Sequence, residues 1–255
     1  MTICAAVKVR DGLALGTDSM TQIWGHDPAG RPGPVKTYSN ARKLFQVNDL
    51  SIGVMTWGIG NLGARSAQSL LREFGSILPK ERDVQSVAEA LYKFFNSGYK
   101  DHFGDASEAT MGFYVAGYAP DAPLAEEWEF NLPQDEEIRQ VRPGEMFGSS
   151  WRGVGLPFTR LYFGRDPRIL HDLKTKGVPE EVIDEVANRY TTPVNYDSMP
   201  VQDAINFVKF ILETTIGVAA FELGPAPACG GPLQIATVLP DDGFNWIKEP
   251  HLTAD

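Results

Sequence analysis

The sequence predicts an α+β fold, and three observations carry the prediction. Element signals fall in segregated blocks: strands, two helices, strands, several helices, strands. The turns joining the early and late strands have hairpin chemistry. Neither an internal repeat nor a break in composition divides the chain, so one domain is expected over residues 1–255. Blocks of this kind argue for antiparallel sheets with helical layers rather than the alternation of a parallel βαβ sheet.

In order along the chain, 3–9 (ICAAVKV) and 13–17 (LALGT) are strand-like runs joined by Arg10-Asp11-Gly12, and Asp-Gly is the strongest short hairpin signal. Residues 24–40 hold three prolines and three glycines among polar neighbours and read as a long excursion. A second hairpin follows, KLFQV (43–47) and SIGVMTW (51–57) about Asn48-Asp49. Asn61 is placed to cap a helix over 61–78, where Leu62, Ala67, Leu70, Leu71 and Phe74 recur at helical spacing. The period continues in a second helix over 83–100. Strands are expected at 110–118 and about 124–130, a charged loop over 133–145, and a short strand near 146–151. Helices occupy 156–222, the longest from about Val201 to Phe221 and ended by Pro225 and Pro227. Two final strands, 233–239 and 244–248, meet at Pro240-Asp241-Asp242-Gly243.

Composition excludes several classes. With 255 residues, 43% hydrophobic and 22% charged, the chain is an ordinary globular one with enough length for a full core. No apolar run approaches the ~20 residues a bilayer span needs, and Met1-Thr2-Ile3-Cys4 is no signal peptide, so no membrane partner is expected. Two cysteines, Cys4 and Cys229, rule out a disulfide framework and point to a reducing cytoplasm. A net charge of −10 without a Lys/Arg cluster argues against nucleic acid. His26, His102, His171 and His251 lack metal-ligand spacing, so no metal is expected, and with no P-loop present no other cofactor is expected either. GIGNLG (58–63) matches the letters of a dinucleotide fingerprint after a strand. A nucleotide-binding reading is nevertheless disfavoured, because the upstream hairpins are antiparallel in character and a helix follows where an acid-ending strand is required.

The chemistry concentrates in the first sixty residues. Removal of Met1 would leave Thr2 with a hydroxyl and a free α-amine on one residue. A threonine hydroxyl needs a base, and an N-terminal amine with pKa near 7.7–8.0 is one such base.

On these residues the chain resembles catalytic proteasome β-subunits and the related two-component bacterial protease. TICAAVKVRDGLALGTDSMT (2–21) is similar to their first hairpin, and Asp18 stands at the family's acidic position sixteen residues after the threonine. ARKLFQV (41–47) resembles the segment whose lysine lies beside the nucleophile, which makes Lys43 the match. MTWGIGNLG resembles the small-residue turn that forms the oxyanion hole, with Gly58 as the match. RGVGLPFTRLYFG (152–164) and ACGGPLQIATVLPDDGFNWI (228–247) extend the likeness loosely. Val154, Ala226 and Cys229 stand where the family has a supporting serine, an acid and a serine.

The resemblance implies an N-terminal-nucleophile threonine peptidase on a four-layer αββα sandwich. It implies Thr2, Asp18, Lys43 and Gly58 as catalytic residues, with Thr21, Gln22 and Met55 as pocket walls. It further implies a peptide or unfolded-protein substrate, a homo-oligomeric ring around a chamber, and an unfolding ATPase partner. Insertions are expected near 24–40 and 165–200. Two other readings keep the fold: a catalytically silent structural subunit, consistent with Val154 and Ala226, and a small-molecule amidase.

Overall fold

The computed structural model of the chain describes residues 1–104, 107–224 and 226–251. From the start of the chain come strands β1 (Ile3–Val9), β2 (Gly12–Thr17), β3 (Thr21–His26), β4 (Pro32–Tyr38), β5 (Leu44–Gln46) and β6 (Ile52–Gly58). A two-residue pair, β7 (Asn61–Leu62) and β8 (Arg65–Ser66), leads into helices α1 (Ala67–Ser76) and α2 (Val84–Phe103). Next are β9 (Met111–Gly117), β10 (Glu126–Leu132), β11 (Arg139–Gln140) and β12 (Gly148–Gly153). Helices α3 (Leu156–Phe163), α4 (Pro167–Thr175), α5 (Glu180–Arg189) and α6 (Val201–Ala219) precede β13 (Gln234–Leu239) and β14 (Gly243–Lys248). The fold is α+β: two five-stranded sheets, ordered β12-β1-β2-β13-β14 and β11-β10-β9-β6-β5, with every pairing antiparallel.

Strand alternation decides what each face meets. On β1, Ile3, Ala5, Val7 and Val9 pack with Val208, Ile211 and Leu212 of α6 and with Phe158 of α3. The alternate residues Cys4 and Ala6 join Leu13, Leu15, Ala236 and Val238 of the same sheet and Leu44, Met55, Tyr114 and Ala116 of the other. That second sheet turns Ile52, Val54, Met111, Phe113, Val115 and Phe130 to Leu70, Phe74, Val87, Leu91 and Phe95 of α1 and α2. The small residues of the first hairpin are what let α6 approach. A Cβ built on Gly16 would lie 2.5 Å from Val208 Cγ1 and 2.9 Å from Leu212 Cδ1. Gly16→Ala is therefore expected to cost about 1–3 kcal/mol by overpacking. Denaturant unfolding checks it, and an unchanged midpoint would refute the packing argument.

A buried polar cluster sits beside the inter-sheet core. Arg142 donates from Nε to Glu127 Oε2 at 2.8 Å and from Nη2 to Glu127 Oε1 at 2.5 Å. Its Nη1 donates to Ser150 Oγ at 2.7 Å, and Tyr114 Oη donates to Glu127 Oε1 at 2.8 Å. Lys8, fully buried, donates to the carbonyls of Arg142 (3.3 Å) and Gly144 (2.8 Å). Burial comes first among the causes that hold its ammonium below the usual lysine pKa.

Several expected boundaries are corrected. The excursion at 24–40 is largely the β3–β4 hairpin, a two-stranded sheet of its own among the described residues; Ile23, Trp24, Val35 and Tyr38 on it are exposed. Asn61 does not cap a helix, because residues 61–66 form β7 and β8. The cap of α1 is Ser66, whose Oγ accepts from Ser69 N at 3.2 Å. The second helix starts on the cap Asp83 and runs three residues past 100, to Phe103. The charged loop contains β11, and the long helix closes at Ala219, two residues before Phe221. Pro225 lies outside the described residues. Residues 165–200 carry α4 and α5, and α4 buries no residue. No described helix is long and apolar enough to cross a membrane.

Candidate active site

The first sheet ends in a cleft of about 730 Å³. Thr2, just ahead of β1, lines it and is 4% exposed, with its carbonyl accepting from Val154 N at 2.7 Å beyond β12. The end of β12 has to be glycine: Gly153 has φ +79°, and a Cβ there would meet the Thr2 carbonyl oxygen at 1.9 Å.

Asp18 follows β2 directly, so the β1–β2 hairpin returns it to the strand that carries Thr2. Its carboxylate is fully buried and receives four donors. Oδ1 accepts from Ile3 N (3.1 Å) and Lys43 Nζ (2.8 Å). Oδ2 accepts from Met20 N (3.3 Å) and Gly230 N (2.9 Å). All four contacts come from N–H donors, so the buried carboxylate has its acceptor oxygens satisfied.

Lys43 arrives from the other sheet, immediately before β5, with its side chain 8% exposed. Its Nζ also donates to Met1 O at 3.3 Å, and that carbonyl carbon is bonded to the Thr2 nitrogen. The pair therefore lies against the Met1–Thr2 peptide. Burial first, and then the Lys43 charge, hold the Met1 amine below the usual α-amine pKa.

Gly58 ends β6 on the cleft wall and is exposed. Its φ of +85° suits glycine, and a Cβ there would sit 2.1 Å from Thr110 O. Thr21 and Gln22 line the cleft as well, and Gln22 Nε2 donates to Pro227 O at 2.7 Å. Met55 is placed differently: it is 1% exposed and packs in the inter-sheet core, away from the cleft lining. Thr56 and Trp57, nearer the end of β6, line that wall instead. Thr2, Lys43, Gly58, Thr21 and Gln22 thus share one cleft, with Asp18 bonded beneath Lys43.

Two contributors carry no local signal in the sequence. Gly230 supplies an amide to Asp18 from 212 residues away. Gln234 accepts at Oε1 from Lys43 N (3.0 Å) and Leu44 N (3.1 Å) and donates from Nε2 to Ala41 O (2.7 Å). Cys229 beside Gly230 packs in the core under α6, and burial, followed by the Asp18 charge, pushes its thiol up to about 12. A thiol of that kind is inert near neutral pH. Among the described residues no cluster of histidine, cysteine and acids could hold a metal ion. GIGNLG has no βαβ setting, because β6 lies between β5 and β9 and is antiparallel to both.

The antiparallel two-sheet α+β architecture is similar in fold to that of Anbu proteins. A mutant Anbu (Gly-1) from Hyphomicrobium sp. strain MC1 superposes with a TM-score of 0.59 at 13% identity, over 100% of this chain and 88% of that one. Anbu (ancestral beta-subunit) from Yersinia bercovieri gives a TM-score of 0.50 at 16% identity, over 98% and 88%. At these identities the likeness is one of fold. No protein-family model matches the sequence, and the curated proteins give no match either. The placement drawn from the sequence motifs is corrected accordingly: the structural likeness over the chain is to Anbu proteins, and it is one of fold.

Proposed function

We propose that the chain hydrolyses peptide bonds by acyl transfer through Thr2, once the Met1–Thr2 bond has been cleaved. The observation that carries the reading is Lys43 Nζ, 2.8 Å from Asp18 Oδ1 and 3.3 Å from the carbonyl joined to the Thr2 nitrogen. The neutral Thr2 amine takes the hydroxyl proton, and Oγ1 attacks the substrate carbonyl. The Gly58 N–H stabilises the resulting oxyanion, a contribution worth ~3–4 kcal/mol in comparable sites. The amine passes its proton to the leaving nitrogen, an ester remains on Thr2, and water attacks it to release the acid and restore the hydroxyl. Lys43 holds the amine neutral, and Asp18 holds Lys43.

The three apolar clusters support reading the chain as four layers, helices–sheet–sheet–helices. In this proposal the protein is cytoplasmic, its copies close into a ring around a chamber, and unfolded polypeptide is fed in by an ATPase. One observation favours a second reading, a silent structural subunit: Val154, Ala226 and Cys229 provide no hydroxyl or carboxylate near Asp18.

Intact mass together with turnover of a fluorogenic peptide decides between them. The expected result is a product lacking Met1, whose activity falls to background in Thr2→Ala. Retained Met1, or equal rates in the two proteins, would overturn the proposal. The pH profile gives a further check. A Thr2 amine freed beside the Lys43 ammonium would be disfavoured in its charged form and neutral at lower pH than an ordinary one, so the acid limb of kcat/KM is expected below the ~7.7–8.0 of a free α-amine. A limb at or above 8 would remove Lys43 from the mechanism.

A further inference from the structure

We infer that Gln234 is a positioning residue of this cleft, its carboxamide fixing the backbone on both sides of Lys43 so that the ammonium meets Asp18 beside Thr2. Residues 41–43 precede β5 and belong to no strand, so no ladder supplies partners for their backbone groups. Those groups are satisfied piecemeal. Ala41 N donates to Ser19 O at 2.8 Å, and Lys43 O accepts from Thr56 N at 3.0 Å. Two more, Ala41 O and Lys43 N, are taken by the single Gln234 side chain, which also accepts from the adjoining Leu44 N at the start of β5. The residue is 1% exposed and does the work of a missing strand.

An amide suits this task where other side chains do not. One planar group offers an oxygen that accepts two N–H bonds and a nitrogen that donates to a carbonyl. A carboxylate cannot donate to Ala41 O, and an apolar side chain leaves the buried Lys43 N and Leu44 N and the half-buried Ala41 O without this partner. Position matters equally. Gln234 opens β13 and pairs with Thr17, the residue before Asp18. Through its main chain it holds the end of β2 that presents the acid, and through its side chain it holds the segment that presents the lysine. Both partners of the ion pair are thereby referred to one residue, although Lys43 lies 191 positions away in sequence. Ser19 reinforces the arrangement, its Oγ lying 2.6 Å from Ser39 O and 2.7 Å from Pro232 O.

The kinetic consequence rests on the proposed Thr2 chemistry; the electrostatic consequence does not. The test uses the full chain as purified, comparing wild type with Gln234→Leu and Gln234→Met, and with melting temperature and particle size recorded for each. Peptide hydrolysis is measured against pH, and the terminal α-amine is titrated by reductive methylation with 13C-formaldehyde and NMR. The expected result is kcat lower by on the order of 10- to 100-fold with KM little changed, as misplacement of a reacting group by about an ångström produces. The amine is expected to titrate higher than in wild type, because Lys43 no longer faces it. A folded variant with wild-type kcat and a wild-type amine titration would overturn the inference, and Gln234→Met decides the matter if Gln234→Leu does not fold. Absence of Thr2-dependent turnover in the wild type would sink the proposed reaction, while the amine titration would still judge Gln234.

Discussion

Asp18→Asn is expected to abolish hydrolysis and to destabilise the chain by about 3–5 kcal/mol, the usual cost of breaking a buried ion pair from one side. The substitution leaves the Lys43 ammonium, 8% exposed, without its counter-charge. It also turns an amide NH2 toward a site where every neighbour is a donor: Ile3 N, Met20 N, Gly230 N and Lys43 Nζ. For a chain of this size the loss amounts to a fall in melting temperature of roughly 10 °C. Lys43→Met in the same molecule removes the stranded charge, so the double variant should regain much of the stability while remaining inactive. A single Asp18→Asn variant that melts like wild type would show that the pair is not buried as described. One that also turns over peptide would end its role in the reaction.

Glu127→Ala should be the most damaging change away from the cleft, again by about 3–5 kcal/mol. Arg142, with its side chain 9% exposed, would lose its only described carboxylate partner, and Tyr114 would lose its acceptor. Glu127 does not line the cleft. The folded protein is therefore expected to keep its rate per molecule to within about twofold while its unfolding midpoint drops, since surrounding changes that leave site geometry intact are largely separable from it. Denaturant titration and active-site labelling together read the two quantities. An unchanged midpoint would mean that the cluster contributes no net stability.

The two predictions differ in how legible their residues were. Turn chemistry is local, so the hairpin at Arg10-Asp11-Gly12 and the turn at Asp242-Gly243 could be read directly. Helical periodicity is local too, and α2 and α6 fall within a few residues of their expected spans. The β3–β4 hairpin was hidden because its strands are stabilised by each other and bury no regular face, while its prolines and glycines imitate a loop. The start of α1 was misread because Asn61 and Ser66 are both good caps, and only the β7–β8 pairing decides between them. Met55 was assigned to the cleft although the alternation on β6 sends it into the core. Thr2, Asp18 and Lys43 are legible only through a family motif, and in the fold Lys43 bonds both Asp18 and the carbonyl joined to the Thr2 nitrogen. Gly230, Gln234 and the Glu127 cluster gave no signal, because each acts across the sheets on residues far away in the chain.

The dependence of Asp18 and Lys43 on β13 has a temporal side. Gly230 supplies one of the four donors to the carboxylate, and Gln234 sets the path of the lysine segment. Asp18 and Lys43 precede these partners by 212 and 191 residues, so during synthesis both emerge well before β13, and the pair stays unassembled until β13 joins the sheet. On the proposed Thr2 chemistry, such an order of assembly would keep the chain harmless to its surroundings until its own folding is done.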